Sequence, residues 1–299
     1  MRRCLSLLCL LLAACSSSAP VLPQWQATEG LEHSEVGRIV DLRTGQVIDP
    51  RQLVERLAPA ERVIVGERHD NPDHHSLQLW LLQALAHERA QGSVLLEMIV
   101  PAQQARVDQA RADLARGDRP ADLPARLDWS EGWPWNLYGS LVSYALAQPY
   151  PLLAANLDRS EIVELYRSPV PIPGRASSRR TVIEALTAQI VQSHCGMLPD
   201  TQVPAMVGIQ QQRDRRMAER LLAAPAPALL LAGGFHARRD VGVPLHIADL
   251  GGPAPLVLML AEVGEPVEPR QADFVWFTPG LPEQDHCAGF KAAADGGKP

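Results

Sequence analysis

The chain has 299 residues and a formal net charge of −6 at pH 7, and 46% of its residues are hydrophobic. A chain of this length and hydrophobicity can bury a large core in one domain. Its mild acidity and its lack of basic runs argue against nucleic-acid binding. Beyond the N-terminus, no apolar stretch approaches the ~20 residues that a membrane-spanning helix needs.

The N-terminal sequence has the layout of an export signal. Arg2 and Arg3 precede a short apolar region at residues 5–12, and Leu-Ala-Ala-Cys ends at Cys15. This ending resembles a bacterial lipobox, which implies removal of residues 1–14 and acylation of Cys15, with palmitate as a typical acyl group. An ordinary signal peptide with a chance cysteine is the alternative.

The residue after Cys15 bears on where such a lipoprotein is sorted. Ser16, rather than an aspartate, follows the cysteine, and by resemblance to Gram-negative lipoproteins this predicts the outer membrane. Residues 15–34 are predicted to form a lipidated tether, starting with a flexible serine run. Residues 35–290 are predicted to form the folded domain, and residues 291–299 a disordered tail.

Short apolar runs alternate with helical patterns along the rest of the chain. A β-hairpin is predicted over residues 37–49, with its turn at 43–45. The further predicted elements are strands at 62–67, 93–98, 151–156, 228–232 and 255–263, and helices at 51–57, 76–90, 101–116, 137–148, 160–167, 177–194 and 204–224. Apolar strands that alternate with helices are typical of a covered parallel sheet. The predicted fold class is α/β, with a mostly parallel sheet covered by helices, an N-terminal hairpin and an additional helical excursion.

Polar side chains follow the predicted strands. Glu67 and His69 end the first, Glu97 the second, Asn156 the third and His236 the fourth. In an open α/β sheet, the carboxyl ends of the strands meet at one edge, where ligands bind. Two carboxylates and two imidazoles there would suit a transition metal or a general acid/base cluster. The alternative is that each is a solvated strand end.

The stretch Gly66–His75 is the most polar part of this edge. Asn71, Pro72 and Asp73 suit a helix start, so capping explains part of the polarity. Capping does not require Glu67, His69 or His74, and we therefore interpret the stretch as a functional site.

Aromatic residues are concentrated in a second region. Trp129, Trp133 and Trp135 are close together in the sequence and are followed by Tyr138 and Tyr144. This concentration predicts either a surface that binds a large flat ligand or a loop that its tryptophans hold against the core.

Two cysteines lie outside the signal and lipobox region. In an exported protein, Cys195 and Cys287 are most simply a disulfide. A metal site is the alternative, because His194 and His286 precede the two cysteines, but neither position has the CxxC-type spacing of zinc sites.

Six motifs together resemble a known family. They are Gly-Glu-Arg-His-Asp-Asn-Pro-Asp-His-His at 66–75, Leu-Leu-Glu-Met at 95–98, Leu-Ala-Ala-Asn at 153–156, His-Cys-Gly-Met-Leu-Pro at 194–199, Gln-Gln-Gln-Arg-Asp at 210–214 and Ala-Gly-Gly-Phe-His at 232–236. In this order they look like the ChaN family, iron-regulated haem-binding lipoproteins of the erythromycin esterase/Tiki superfamily. The likeness covers roughly residues 35–290.

The resemblance implies two ferric haems bound face to face between two monomers, each iron ligated by one tyrosine. Tyr138 is the first choice of ligand because it lies beside the tryptophans, and Tyr144 and Tyr166 are alternatives. His69 or His74, near a helix N-terminus, is expected to contact the haem propionates. The expected function is haem and iron uptake by a lipid-anchored outer-membrane protein, with an outer-membrane haem receptor as a further partner.

Two other functions are open. Relatives in the superfamily imply a metal-dependent hydrolase that uses Glu67, His69, Glu97 and His236 with a divalent metal. The sequence has no Gly-x-Ser-x-Gly serine and no HExxH motif, so a serine hydrolase and an ordinary zinc protease are not supported. The third possibility is a scaffold for a partner receptor. An enzymatic role is the less favoured interpretation.

Overall fold

The computed structural model describes residues 20–283, 285, 287 and 288. The predicted signal at 1–14, the lipidation site Cys15 and the predicted tail at 291–299 lie outside these residues. Among the helices of the described segments, none is both long and apolar enough to cross a membrane.

The described residues form one eight-stranded mixed sheet. Its strands are β1 (Ile39–Asp41), β2 (Gln46–Ile48), β3 (Arg62–Glu67), β4 (Ser93–Leu96), β5 (Leu152–Ala154), β6 (Ala228–Gly233), β7 (Leu256–Glu262) and β8 (Phe274–Thr278). Their order is β2-β1-β8-β7-β3-β6-β4-β5. The six strands from β8 to β5 are parallel, and the antiparallel β1–β2 hairpin pairs with β8. The predicted α/β class with a mostly parallel sheet is confirmed, and β8 is a strand that the sequence analysis did not predict.

Ten α-helices cover the sheet within the described segments. They are α1 (Pro50–Leu57), α2 (Pro72–Glu88), α3 (Gln104–Ala115), α4 (Leu123–Leu127), α5 (Trp135–Leu146), α6 (Arg159–Arg167), α7 (Arg180–Ser193), α8 (Val203–Ala223), α9 (Gly234–Ala237) and α10 (Val243–Asp249), with a 3₁₀ turn at Pro101–Gln103. At the start of α2, the Asn71 side chain accepts a hydrogen bond from the Asp73 backbone, and Pro72 occupies the first helical position. The predicted capping of this helix is therefore present.

The two faces of the sheet carry different helices, because successive strand residues point to opposite sides. On one face, Val63 and Val65 of β3 belong to the core that α1, α2, α3 and α5 cover. On the other, Ile64 packs in the core beneath α8 and α10. Helix α7 packs on α8 through a smaller apolar cluster, and α6 also packs on α8. We call these the α2 face and the α8 face.

The segment from Pro20 onward is attached to the α2 face. The Trp80 indole donates to the Pro20 carbonyl at 2.9 Å, and the Asp73 carboxylate accepts hydrogen bonds from the backbone of Gln26 at 2.8 Å and of Ala27 at 3.1 Å. Residues 20–34 were predicted as part of the tether. In the described part of this segment, Pro20, Gln26 and Ala27 are hydrogen-bonded to side chains of α2.

Cys195 and Cys287 form a disulfide with an S–S distance of 2.06 Å across 92 residues of sequence. It links the turn after α7 to the C-terminal segment. Since both sulfurs are bonded to each other, neither thiolate is available for the metal site considered as the alternative.

Candidate functional site

The carboxyl ends of β3, β4 and β6 converge on a pocket of about 530 Å³, which we call the rim pocket. Glu67 is the last residue of β3, Glu97 follows β4, and His236 lies in α9 directly after β6. These three residues and His69 all line the rim pocket. The structure therefore brings together the four rim residues that the sequence predicted to be close.

Glu67 and His69 form one pair at this edge. His69 Nδ1 donates to Glu67 Oε1 at 2.7 Å, and the His69 side chain is 43% exposed whereas that of Glu67 is buried. Burial alone would lower the pKa of His69, but the hydrogen bond and charge of Glu67 outweigh it and raise the pKa. A Cβ at Gly233 would lie 2.7 Å from His69 Nε2, so a glycine is needed for this close approach.

A buried chain of three side chains lies beneath the rim pocket, and two of them, Glu97 and His236, line it. His236 lies between two carboxylates, with Nδ1 at 2.6 Å from Asp214 Oδ1 and Nε2 at 3.3 Å from Glu97 Oε1. Burial opposes a charged imidazole, but the two carboxylates raise the pKa of His236 to about 10. Burial also opposes a charged Glu97, yet the nearby imidazolium holds the pKa of Glu97 far below its usual range. Glu97 Oε2 further accepts the Gly233 backbone N–H at 2.8 Å.

Asp214 is the site residue that sequence reasoning missed. It lies on α8, and burial raises its pKa to about 6 despite the opposing charge of His236. The Gln-Gln-Gln-Arg-Asp motif at 210–214 contains it, but no strand end marks that motif, and only the fold brings α8 beneath the rim.

Glu67, His69, Glu97 and His236 were predicted as alternative metal ligands, and that role stays a prediction. Within the described residues, no three His, Cys, Asp or Glu side chains are arranged to hold a metal ion. Both ring nitrogens of His236 face carboxylates, which leaves no lone pair for a metal. The four residues pair with one another instead.

Tyr138, the first choice for the haem ligand, is fully buried. Its hydroxyl donates to Glu67 Oε1 at 3.3 Å, and its ring packs against His75 with the ring centres 4.2 Å apart. Burial and the nearby carboxylates raise its pKa above the ordinary tyrosine value. Because an iron ligand must reach the haem as an accessible phenolate, this placement favours a more exposed tyrosine, and the role of Tyr138 as ligand stays a prediction.

His74 also has a structural role. It has no exposed surface, its Nδ1 accepts the Arg68 backbone N–H at 2.8 Å, and its Nε2 donates to Thr278 Oγ1 at 3.0 Å. Burial holds its pKa well below the usual histidine range. His74 thus has both ring nitrogens bonded within the fold, and its contact with a haem propionate stays a prediction, whereas His69 is accessible from the rim pocket.

The tryptophan-rich loop packs against the core. Trp133 contacts the ring of His69 edge-on, with the ring centres 4.8 Å apart, and also contacts Tyr138. Trp129 and Trp135 contact each other and pack against the α2-face core. Of the two interpretations of this region, the loop held to the core by its tryptophans describes the structure.

A second cavity of about 570 Å³ lies between α6, α7 and α8, and we call it the α6 cleft. Its lining consists of Ile162, Val163, Tyr166, Arg167, Ile190, Met206, Ile209, Gln210 and Arg213. Tyr166 is 41% exposed, whereas Tyr144 packs against the α2-face core and Tyr150 is buried. No residue of α6 is buried, although this helix carries Ile162, Val163 and Tyr166 on neighbouring positions of its surface.

Comparisons with known proteins place the chain in a family. A family profile described as haem-binding uptake, Tiki superfamily, ChaN matches residues 53–247. Among solved structures, ChaN of Campylobacter jejuni, described with cofacial haem binding, is 30% identical with a TM-score of 0.75, over 81% of this chain and 97% of that one.

Two remoter structures are also similar. An erythromycin esterase in its open conformation is 13% identical over 92% of this chain and 88% of its own, with a TM-score of 0.45. A succinoglycan biosynthesis protein is 10% identical over 71% of this chain and 68% of its own, with a TM-score of 0.44. No curated protein matches the sequence significantly. The profile match and the likeness to the Campylobacter protein establish that the chain belongs to the ChaN family of haem-binding uptake proteins in the Tiki superfamily.

Proposed function

We propose that this protein binds ferric haem in the α6 cleft and uses Tyr166 as the axial iron ligand. The observation that carries the proposal is the exposure of Tyr166, whose side chain faces an apolar cleft while Tyr138 and Tyr150 are buried. A phenolate is a hard anionic oxygen ligand and suits Fe(III) in haem.

The cleft fits a porphyrin in size and in chemistry. Its volume of about 570 Å³ lies within the range of roughly 300–1,000 Å³ that is usual for cofactor sites. Ile162, Val163 and Met206 offer apolar contact for the faces of a flat ring. Burying such faces is favourable in water, since the free energy gained grows with the apolar area removed from solvent.

We further propose that haem joins two copies of the chain. One tyrosine fills one axial position of the iron, and the outer face of the bound ring stays apolar. Val163 and Tyr166 are both exposed beside the cleft, so a second copy with its own haem would cover the same surface. The cofacial haem binding described for the Campylobacter relative is consistent with this arrangement.

The cellular location forms part of the same proposal. The Leu-Ala-Ala-Cys sequence that ends at Cys15, followed by Ser16, favours a lipid-anchored protein of the outer membrane. We propose that the anchored protein takes part in haem and iron uptake and passes haem to an outer-membrane receptor.

A haem titration tests the proposal. Purified residues 20–299 are titrated with ferric haem while the visible spectrum and the sedimentation profile are recorded. We expect saturable binding, a phenolate charge-transfer band and a shift from monomer to a dimer that holds about two haems, as the family resemblance implies. Absence of saturable haem binding would reject the proposed function.

Two tyrosine variants identify the ligand. Tyr166→Phe keeps the ring and removes the oxygen, so the charge-transfer band should disappear. Tyr138→Phe is the matched control, because the Tyr138 hydroxyl is buried against Glu67 and its removal should leave the band intact. Persistence of the band in Tyr166→Phe would show that another residue is the ligand.

The hydrogen-bonded pair of Glu67 and His69 supports a second function, which is acid/base hydrolysis at the rim pocket. Glu67 accepts the Nδ1 hydrogen of His69, which leaves His69 Nε2 with a lone pair beside the pocket. A carboxylate-oriented imidazole of this kind is suited to act as a general base. The test is hydrolysis of activated esters by the wild type and by the variants His69→Ala and Glu67→Gln. Activity of the wild type that both variants lose would support this function. Equal rates in all three proteins would rule it out.

A further inference from the structure

A third cavity lies on the α2 face and shares no lining residue with the rim pocket or the α6 cleft. It has a volume of about 660 Å³ and is bounded by α2, by α5 and by the N-terminal segment at residues 21–26, and we call it the α2 groove. This volume lies within the range of roughly 300–1,000 Å³ that is usual for small-molecule sites. The groove is therefore large enough for a ligand that has no part in the proposed haem site.

The N-terminal segment is a fixed wall of the α2 groove. The Gln26 side chain donates from Nε2 to Ser76 Oγ at 3.0 Å, and the Gln26 backbone N–H donates to the Asp73 carboxylate at 2.8 Å. The Trp80 indole N–H donates to the Pro20 carbonyl at 2.9 Å. Because these bonds attach the segment to α2, the groove is already formed in the absence of a ligand.

The two helices each present one side to the α2 groove. Its lining positions on α2 are spaced three and four residues apart, and those on α5 are two adjacent pairs four residues apart, as expected for one face of each helix. Leu79 of α2, together with Leu137 and Leu141 of α5, supplies apolar surface. A ligand in the groove can therefore bury carbon atoms against both helices.

Polar groups on both helices are available to the same ligand. Gln83 on α2, and Asn136 and Ser140 on α5, line the groove, and their side chains have no hydrogen-bond partner within the described residues. Each amide offers two donor hydrogens and an acceptor oxygen, and the hydroxyl is both a donor and an acceptor. A bound molecule that carries donors and acceptors of its own could be held from both sides.

The charge of the lining narrows the ligand class. Among the described residues, those that line the α2 groove include no aspartate, glutamate, lysine or arginine. A charged ligand would lose hydration there without meeting an opposite charge, which is unfavourable. A wholly apolar ligand would cover the amides without bonding them, which is also unfavourable. An uncharged molecule with several hydroxyls on a carbon ring meets both conditions.

We propose that the α2 groove binds an uncharged saccharide. Asn136 and Gln83 bond the sugar hydroxyls from facing helices, and Leu137 contacts the C–H face of the ring. A free oligosaccharide and the sugar headgroup of a glycolipid have this chemistry in common. The site does not depend on the proposed haem site, since none of its residues lines the α6 cleft.

An NMR titration of residues 16–299 tests the site with three neutral probes, cellobiose, maltose and N,N′-diacetylchitobiose. At least one should bind saturably, with a dissociation constant on the order of 1 mM or below. It should shift the side-chain amide signals of Gln83 and Asn136. The β-1,4 dimer of glucosamine, which carries ammonium groups at pH 6, should leave these signals unchanged at the same concentration.

Two amide variants and a matched control identify the groove as the site. Asn136→Ala and Gln83→Ala each remove one bonding amide and should weaken binding of the best neutral probe roughly two- to tenfold. Gln192→Ala is the control, since Gln192 is exposed on α7 and lines none of the three cavities, and it should bind as the wild type does. Unchanged binding in both groove variants, or equal weakening in the control, would overturn the proposal.

A vesicle experiment distinguishes the two sources of the sugar. The protein is sedimented with phosphatidylcholine vesicles that contain or lack lactosylceramide, a neutral glycolipid. Binding to the glycolipid vesicles alone, lost in Asn136→Ala, would identify a headgroup, whereas binding of the free probes identifies a soluble saccharide. If neither the three probes nor the glycolipid vesicles bind, the proposal is wrong. Ferric haem is titrated in parallel, and Asn136→Ala should bind it as the wild type does.

Discussion

Asp214 Oδ1 lies 2.6 Å from His236 Nδ1, and this hydrogen bond connects α8 to the short helix that follows β6. Both side chains are buried, and Glu97 contacts the imidazole from the other side. Because α8 also carries Gln210 and Arg213, which line both the α6 cleft and the rim pocket, the bond fixes the helix that separates the two cavities. This buried ion pair therefore helps to hold the helix that lies between the α6 cleft and the rim pocket.

Removal of one partner from this pair should strongly lower the free energy of unfolding. Asp214→Ala leaves the imidazolium of His236 buried with one carboxylate fewer, and such a loss typically destabilises by about 3–5 kcal/mol. Urea unfolding measures the change. Glu219→Ala, which breaks the more exposed pair with Arg215 on the same helix, should cost less than about 1 kcal/mol. Equal losses in the two variants would contradict the structural role of Asp214.

The stability should fall in mild acid because of His246. This residue is fully buried, neither ring nitrogen has a hydrogen-bond partner, and burial lowers its pKa to about 4. The unfolded chain then binds a proton near pH 6.5 that the folded chain takes up only near pH 4, so the contribution of His246 to stability is greatest above pH 6.5 and falls between these values, by up to about 3 kcal/mol. Buried Asp214, whose pKa is raised to about 6, acts in the opposite direction.

Urea midpoints from pH 7 to pH 4 check this expectation. His246→Leu removes the titrating group and should flatten the decline, although buried His74, whose pKa is also lowered, contributes in the same direction. The exposed His33 serves as the control, and His33→Gln should decline as the wild type does. If the urea midpoint of His246→Leu falls with pH as steeply as that of the wild type, His246 does not cause the decline.

The disulfide should contribute strongly to stability. It connects residues 92 apart in the sequence, and closing a loop of this size is worth about 4.6 kcal/mol in the chain-entropy account, with measured effects of roughly 2–5 kcal/mol. The double variant Cys195→Ala, Cys287→Ala should unfold at correspondingly lower urea. Dithiothreitol should destabilise the wild type to a similar extent and should not affect the double variant; a further loss there would point to another effect of the reductant.

The lipid anchor is testable in cells. Cys15→Ser removes the thiol that would be acylated, so the protein should move from the membrane fraction to the soluble fraction. Fractionation after a high-salt wash measures the change, and labelling with a palmitate analogue should be lost in parallel. If Cys15→Ser still sediments with membranes after the wash, the anchor is a different one.

The edge of the sheet was predictable from sequence because it follows from topology. Parallel strands place their carboxyl ends at one edge, so Glu67, Glu97 and His236 were expected to be neighbours although they are far apart in the chain. Which atoms pair could not be predicted. One partner of His236 is Asp214, which lies on helix α8. The position of that helix depends on packing on the α8 face, and such packing cannot be predicted from a local sequence pattern.

The aromatic cluster illustrates a different limit. A group of tryptophans beside Tyr138 indicates a core and a ligand surface equally well, because both bury large flat side chains. Burial decides between them, and it assigns Tyr138 to the core. Strand β8 has the aromatic and β-branched residues that favour a strand, but no helix separates it from β7, so the alternation of strands and helices did not point to it.

The hydrogen bonds from Gln26 and Ala27 to Asp73 have a consequence for orientation. They direct the chain out of the domain on the α2 face, whereas the α6 cleft, which Tyr166 lines, lies beyond α8 on the opposite side of the sheet. Cys15 precedes Pro20 by five residues, a reach of at most about 18 Å. An acyl chain on Cys15 would hold the domain with its α2 face toward the bilayer, and the α6 cleft would open toward the aqueous compartment, from which the proposed haem ligand would reach it.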